Sequence, residues 1–161
     1  MSTTATNNLA QVILGRRLLY SVDQSGSIAF NQGDLLYFQS GTDTYATPIA
    51  SDTNATYLIG VAMNSSNLAL YTNALTGSAN NNYESKVLVG SGDVFNFTGV
   101  AGQTYTTHLL SVYYSTDAQH VTAASASHVI GYVYNPLLLT LSGAITIPVL
   151  VVAQVPVVGA V

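Results

Sequence analysis

Apolar residues occur along this chain in short runs, and clusters of Gly, Asn, Asp and Ser separate the runs. Leu35-Leu36-Tyr37-Phe38, Tyr57-Leu58-Ile59-Gly60-Val61-Ala62, Leu68-Ala69-Leu70-Tyr71 and Lys86-Val87-Leu88-Val89 are the clearest runs. Asn31-Gln32-Gly33-Asp34, Ser51-Asp52-Thr53-Asn54 and Gly90-Ser91-Gly92-Asp93 are typical of the clusters. No window of a dozen residues keeps apolar positions at i, i+3, i+4 and i+7 without a Gly, Ser, Asn or Pro interrupting it, so helices are not expected. Short strands with frequent turns predict an all-β chain, folded as a small β-barrel or β-sandwich of short antiparallel strands. The eleven tyrosines suit such a half-buried pleated surface, with the ring inside and the hydroxyl at its edge.

Two stretches echo each other. Leu36-Tyr37-Phe38 leads to Leu58-Ile59-Gly60-Val61-Ala62-Met63-Asn64, and Val112-Tyr113-Tyr114 leads to Val129-Ile130-Gly131-Tyr132-Val133-Tyr134-Asn135. Each has a strand, an aspartate turn (Asp43, Asp117), a small-residue stretch and an Ile-Gly strand ending at Asn. A glycine precedes each, Gly33 and Gly102, at different distances. Residues 20–161 therefore read as a single β domain within which 33–64 and 102–135 are similar β-units. Residues 1–19 read as an extended N-terminal arm, polar up to Asn8 and apolar from Leu9. This arm could add a strand to a neighbouring sheet edge, which makes Val12, Ile13, Leu14, Arg16 and Arg17 candidate interaction residues.

Residues 136–161 carry no charge and are mostly apolar, long enough for a membrane-spanning helix. Pro148, Pro156, Gly143 and Gly159 interrupt the stretch, Val, Ile and Thr are frequent, and no basic residue flanks it. Two strands of a soluble core are expected there, and no membrane partner.

Composition alters this picture in one respect. Only 10 of 161 residues are Asp, Glu, Lys or Arg, and residues 118–161 contain none. Typical soluble domains carry about 25% charged residues, which keep them soluble and apart. A chain this poor in charge is expected to have its surface covered by other subunits. Its net charge is −4, with Arg16, Arg17 and Lys86 the three cations, so it lacks the basic stripe that phosphate backbones require. Nucleic acid is excluded as a partner. The absence of Cys excludes disulfides and thiolate metal sites.

Catalytic chemistry finds little support. His108, His120 and His128 fall close together, yet their spacings of 12 and 8 fit no compact metal motif, and no metal or cofactor is expected. Val89-Gly90-Ser91-Gly92-Asp93 lacks the Gly-x-Ser-x-Gly spacing of a nucleophile elbow and reads as a hairpin turn between Leu88 and Val94. No catalytic residue is assigned. Tyr105, Tyr113, Tyr114, Tyr132 and Tyr134 could offer rings to a sugar, and alternation would put Tyr132 and Tyr134 on one strand face. Those two are candidate interaction residues for a partner protein, a second subunit or a glycan.

The run Gln32-Gly33-Asp34-Leu35-Leu36-Tyr37-Phe38-Gln39-Ser40-Gly41, with Ala46-Thr47-Pro48-Ile49-Ala50 and then Tyr57-Leu58-Ile59-Gly60-Val61-Ala62, resembles the capsid decoration (cement) proteins of tailed bacteriophages. The resemblance covers residues 32–64; the long uncharged C-terminus has no match in the pattern. It implies a β-rich homotrimer on the outer surface of an icosahedral head, clamping neighbouring copies of the major capsid protein. A carbohydrate-binding or adhesive β-module on a virion or cell surface is the alternative expectation.

Overall fold

The structure, a computed structural model, describes residues 18–24, 29–38, 45–66, 86–142 and 145–154. It is all-β. Among the described residues ten strands follow one another: β1 (Leu18–Gln24), β2 (Leu35–Phe38), β3 (Tyr45–Pro48), β4 (Leu58–Ala62), β5 (Lys86–Ser91), β6 (Val94–Gly99), β7 (Ser111–Tyr114), β8 (His120–Thr122), β9 (Val129–Val133) and β10 (Thr146–Val151). One 3₁₀ helix, Asp52–Tyr57, precedes β4, so Tyr57 lies outside the strand expected to contain it. The first strand begins at Leu18, which places Leu18 and Leu19 in the sheet and not in the arm.

The strands close into two five-stranded barrels, ordered β1-β3-β2-β4-β5 and β10-β6-β8-β7-β9. Closure leaves no free sheet edge in either barrel. Their connectivity is the same. The first strand of each barrel pairs in parallel with the third, β1 with β3 and β6 with β8, and every other pairing is antiparallel. The register agrees as well. Leu36 faces Gly60 and Val112 faces Gly131, and each ladder has its irregularity at the next step, Leu36/Tyr37 and Val112/Tyr113. The Ile-Gly echo in the sequence thus falls on strands that occupy the same place in the two barrels.

The glycines at those facing positions allow close strand contact. A β-carbon on Gly60 would collide with the Gly90 carbonyl oxygen, and one on Gly131 with the Leu150 carbonyl oxygen. Only glycine lets the backbones of β4 and β5, or of β9 and β10, approach this closely.

Phe30, Leu36, Ala46, Ile59, Ala62 and Val89 fill the first barrel. A larger cluster starts inside the second barrel, with Phe95, Phe97, Val112, Val121, Ile130, Val133, Ile147 and Val149. It continues to Leu35, Tyr37, Leu58 and Val61 on the strands of the first barrel. One apolar core therefore runs across the junction between the barrels. Polar contacts reinforce that junction: Leu35 N–H donates to the Ala118 carbonyl (2.9 Å) and Gln154 N–H to the Leu58 carbonyl (2.8 Å). Buried Asp34 accepts from Gln119 Nε2 at 2.6 Å and from Asn31 N–H at 2.9 Å. Asp52 reaches across to the Ser127 and His128 amides and to His128 Nδ1 (3.1 Å).

Two sequence expectations are corrected. Gly92 and Asp93 do not close a hairpin. They carry the chain from β5 of one barrel into β6 of the other, and Gly92 N–H donates to the Val151 carbonyl. Residues 136–142 contain no strand. Strand β10 starts only at Thr146, and residues 136–140 are exposed.

Candidate interaction surface

The loop from Asn135 to Ser142 joins β9 to β10 at one end of the second barrel. Its shape follows from Asn135, which is 3% exposed. The Asn135 side-chain amide donates to the Thr106 and Leu139 carbonyls, both at 2.8 Å, and its Oδ1 accepts from Leu139 N–H at 3.0 Å. Its backbone carbonyl accepts from Leu138 N–H, and its own N–H donates to His108 Nδ1 at 3.0 Å. One buried amide therefore ties this loop to the 105–110 loop beside it. Further on, Leu141 packs against the core, and its carbonyl accepts from Tyr105 N–H.

With Asn135 and Leu141 held inward, the residues between them turn outward. Leu137, Leu138 and Leu139 are 77%, 63% and 57% exposed, and Leu109 on the neighbouring loop is 49% exposed. Leu109 and Leu138 also have left-handed backbones, with φ of 60° and 51°. For a residue with a β-carbon this conformation costs roughly 1–2 kcal/mol. Four outward leucines amount to roughly 400 Å² of aliphatic surface, about the size of the largest apolar patch on a typical monomer, which is often a functional one. No Asp, Glu, Lys or Arg lies in residues 118–161, so no formal charge borders the leucine loop along the chain. What this arrangement can do chemically is exclude water from a matching apolar surface, at about 1.5–3 kcal/mol per fully buried leucine.

These leucines were not among the expected site residues. Their signal was Asn135-Pro136, a turn-initiating pair, followed by three identical apolar residues that do not alternate as a strand on a sheet surface would.

The expected site residues fare differently. Val12, Ile13, Leu14, Arg16 and Arg17 lie outside the described residues. Tyr132 is 36% exposed on β9. Its counterpart in the first barrel, by register, is Val61, which is fully buried. Tyr134 lies just past the end of β9, and its ring meets His108 edge-on, with centroids 5.4 Å apart.

The five tyrosines considered for a sugar do not form one strip. Tyr105 is fully buried. Its hydroxyl accepts from Val100 N–H and donates to the Val121 carbonyl, both at 2.9 Å. Burial pushes the Tyr105 phenol above its ordinary value, and backbone N–H donors from Val100 and Ala123 oppose this in part. The Tyr114 hydroxyl donates to the Ala50 carbonyl of the first barrel. Its phenol is raised as well, first by burial and then by the nearby Asp117 charge.

The three histidines have separate partners. His108 accepts from Asn135, His120 Nδ1 lies 2.7 Å from Asp117, and His128 Nδ1 lies 3.1 Å from Asp52. Among the described residues, no three His, Cys, Asp or Glu side chains group as a metal site, and no helix is long and apolar enough to cross a membrane.

No protein-family model matches the chain, and a search of curated proteins found no significant match.

Proposed function

We propose that the chain is a structural virion protein, a capsid decoration or cement protein. It binds as a homotrimer to the outside of an icosahedral head and stabilises contacts between major capsid subunits. The observation that carries this reading is the uncharged leucine loop, held in shape by buried Asn135 and presented to solvent. The resemblance of residues 32–64 to decoration proteins supports it from an independent stretch of chain.

The physics suits the role. A shell under internal pressure gains from many modest contacts repeated by symmetry, since separating one subunit requires breaking several contacts together. Apolar contacts lose little when salt changes, because screening acts on charge. Two closed barrels sharing one core provide a stiff body without open edges on which such contacts can be mounted.

Sedimentation and shell binding test the proposal. The purified chain is expected to self-associate at micromolar concentration and to co-sediment with assembled shells of the virus that encodes it. A persistent monomer that ignores those shells refutes it.

A further inference from the structure

The matched registers of the two barrels identify a substitution between them. In the first barrel, Gly33 N–H donates to the Ala62 carbonyl and Ala62 N–H to the Asp34 carbonyl. In the second, Leu109 N–H donates to the Val133 carbonyl and Val133 N–H to the Leu110 carbonyl. Leu109 therefore stands where the first barrel has Gly33. Gly102, the glycine that precedes the second unit in sequence, belongs to a separate turn. Both Gly33 and Leu109 have a left-handed backbone, φ 95° and 60°. Glycine takes that conformation freely and leucine does not. The second barrel thus keeps a strained, half-exposed leucine where its twin has the residue that folding prefers. Leu138 repeats the pattern on the adjacent loop.

Neither leucine is buried, so their side chains contribute little to the core that would offset the strain. We infer that Leu109 and Leu137–Leu139 form a preshaped peg that seats in an uncharged aliphatic recess on a different folded protein. This rests on the function proposed above, in which that protein is the shell subunit.

Three observations select this occupant. First, the patch of roughly 400 Å² is about half of what each partner contributes to a standard stable interface, so it would not hold two copies of this chain together alone. It suits a subunit already held by other contacts. Second, residues 118–161 carry no charge, so an ionic partner surface would be desolvated without compensation. Third, Asn135 and the strained backbones fix the shape of the loop. A fluid acyl layer rewards apolar area and gains nothing from shape. A recess in a folded protein rewards preorganisation.

The test uses the full chain carrying Leu109→Asn, Leu138→Asn or both. Asn tolerates left-handed backbone better than any other residue except Gly. The variants should therefore keep the wild-type thermal midpoint to within about 3 °C. Leu138→Gly serves as a second variant should Leu138→Asn disturb the loop. Binding is measured to purified shells of the encoding virus freed of this protein, to phosphatidylcholine vesicles, and to the chain itself by sedimentation equilibrium.

The peg is supported if each folded variant loses about tenfold in shell affinity, with self-association unchanged and no vesicle binding. Wild-type shell binding should also vary less than about threefold between about 50 mM and 1 M NaCl. Shell binding by the variants equal to wild type overturns the peg and leaves the cement reading standing. Loss of self-association alone assigns the leucines to a second copy, and vesicle binding abolished by the variants assigns them to lipid; either result overturns the inference. A wild-type chain that ignores shells removes the proposed function and this partner with it.

Discussion

Three glycines separate two physical effects that usually come mixed. Gly131 lacks a left-handed backbone, but a β-carbon there would press into the Leu150 carbonyl oxygen and lie 2.8 Å from Val149 Cγ1. Gly60, its counterpart, faces the same collision with the Gly90 carbonyl, lies 2.9 Å from Val89 Cγ1, and has φ +143° besides. Gly102 has φ +80° with nothing within 4 Å. To admit alanine at 131, β9 and β10 must part by roughly 1 Å to restore ordinary contact distances. That movement weakens a ladder of three pairs, Gly131 with Val151, Tyr132 with Leu150 and Val133 with Val149. Two weakened hydrogen bonds at about 1 kcal/mol each and overpacking of about 1–3 kcal/mol give roughly 3–5 kcal/mol for Gly131→Ala. Gly60→Ala adds about 1–2 kcal/mol of backbone strain. Gly102→Ala meets only the strain, and the stiffer unfolded chain offsets part of it, for a net of about 1 kcal/mol or less. Urea unfolding with unchanged m-values measures all three. The expected order is Gly60 worst, then Gly131, then Gly102, with the Gly60 loss close to the sum of the other two. A Gly131→Ala protein within about 1 kcal/mol of wild type would refute the close-approach account of barrel closure.

Three further outcomes follow from the polar contacts and the chain boundaries. Because burial raises the Tyr105 and Tyr114 phenols, their contribution to stability is intact below about pH 10, where the unfolded chain begins to ionise, and is lost as pH rises through the folded values. Tyr105→Phe should flatten that alkaline fall in a pH series of thermal melts, while costing about 1–2 kcal/mol at neutral pH because Val100 N–H and the Val121 carbonyl lose the hydroxyl between them and keep only their own 3.1 Å bond. Gln119→Ala should destabilise by about 2 kcal/mol by removing a donor from buried Asp34, and Gln119→Glu by more, since it sets two carboxylates side by side; equal stability of the two variants in urea would count against that junction contact. Deleting residues 1–17 leaves every described strand in place, because β1 starts at Leu18, so melting should be preserved while shell binding weakens; unchanged shell binding excludes a role for Val12, Ile13, Leu14, Arg16 and Arg17.

Strand identity was legible where apolar runs were short and bounded by turn residues. Leu35–Phe38, Leu58–Ala62 and Val129–Val133 are strands for the reason their patterns suggested: β-branched and aromatic residues between Gly, Asn and Asp clusters. What misled was apolarity without periodicity. Residues 136–139 looked like strand because nothing in them is charged, yet the Leu139 N–H and carbonyl bond the Asn135 side chain and the Leu138 N–H bonds the Asn135 carbonyl, with no ladder there. The histidines looked clustered because they are close in sequence. The barrel sends His120 to β8, His108 to the loop before β7 and His128 to the turn before β9. The parallel pairing of β1 with β3 leaves no local trace, since it joins segments separated by β2. The equivalence of Gly33 and Leu109 was equally hidden, because it rests on hydrogen bonds to Ala62 and Val133 and not on residue identity.

Two barrels of one topology would be expected to show water the same outer faces, and they do not. Leu35 and Val61, neighbours across β2 and β4, are fully buried in the cluster that joins the barrels. Their counterparts across β7 and β9 are Ser111, half-buried, and Tyr132, exposed. The barrels therefore meet by unlike faces, an arrangement that leaves one copy of the joining face open. At that open face the second barrel has more polar residues than the first, as solubility requires. At its loop end the difference runs the other way, from Gly33 to strained Leu109, beside three leucines turned to solvent. Solubility alone would shift both places in the same direction. Opposite shifts in one barrel are what the proposed shell contact predicts, with water bounding the first surface and another apolar surface bounding the second.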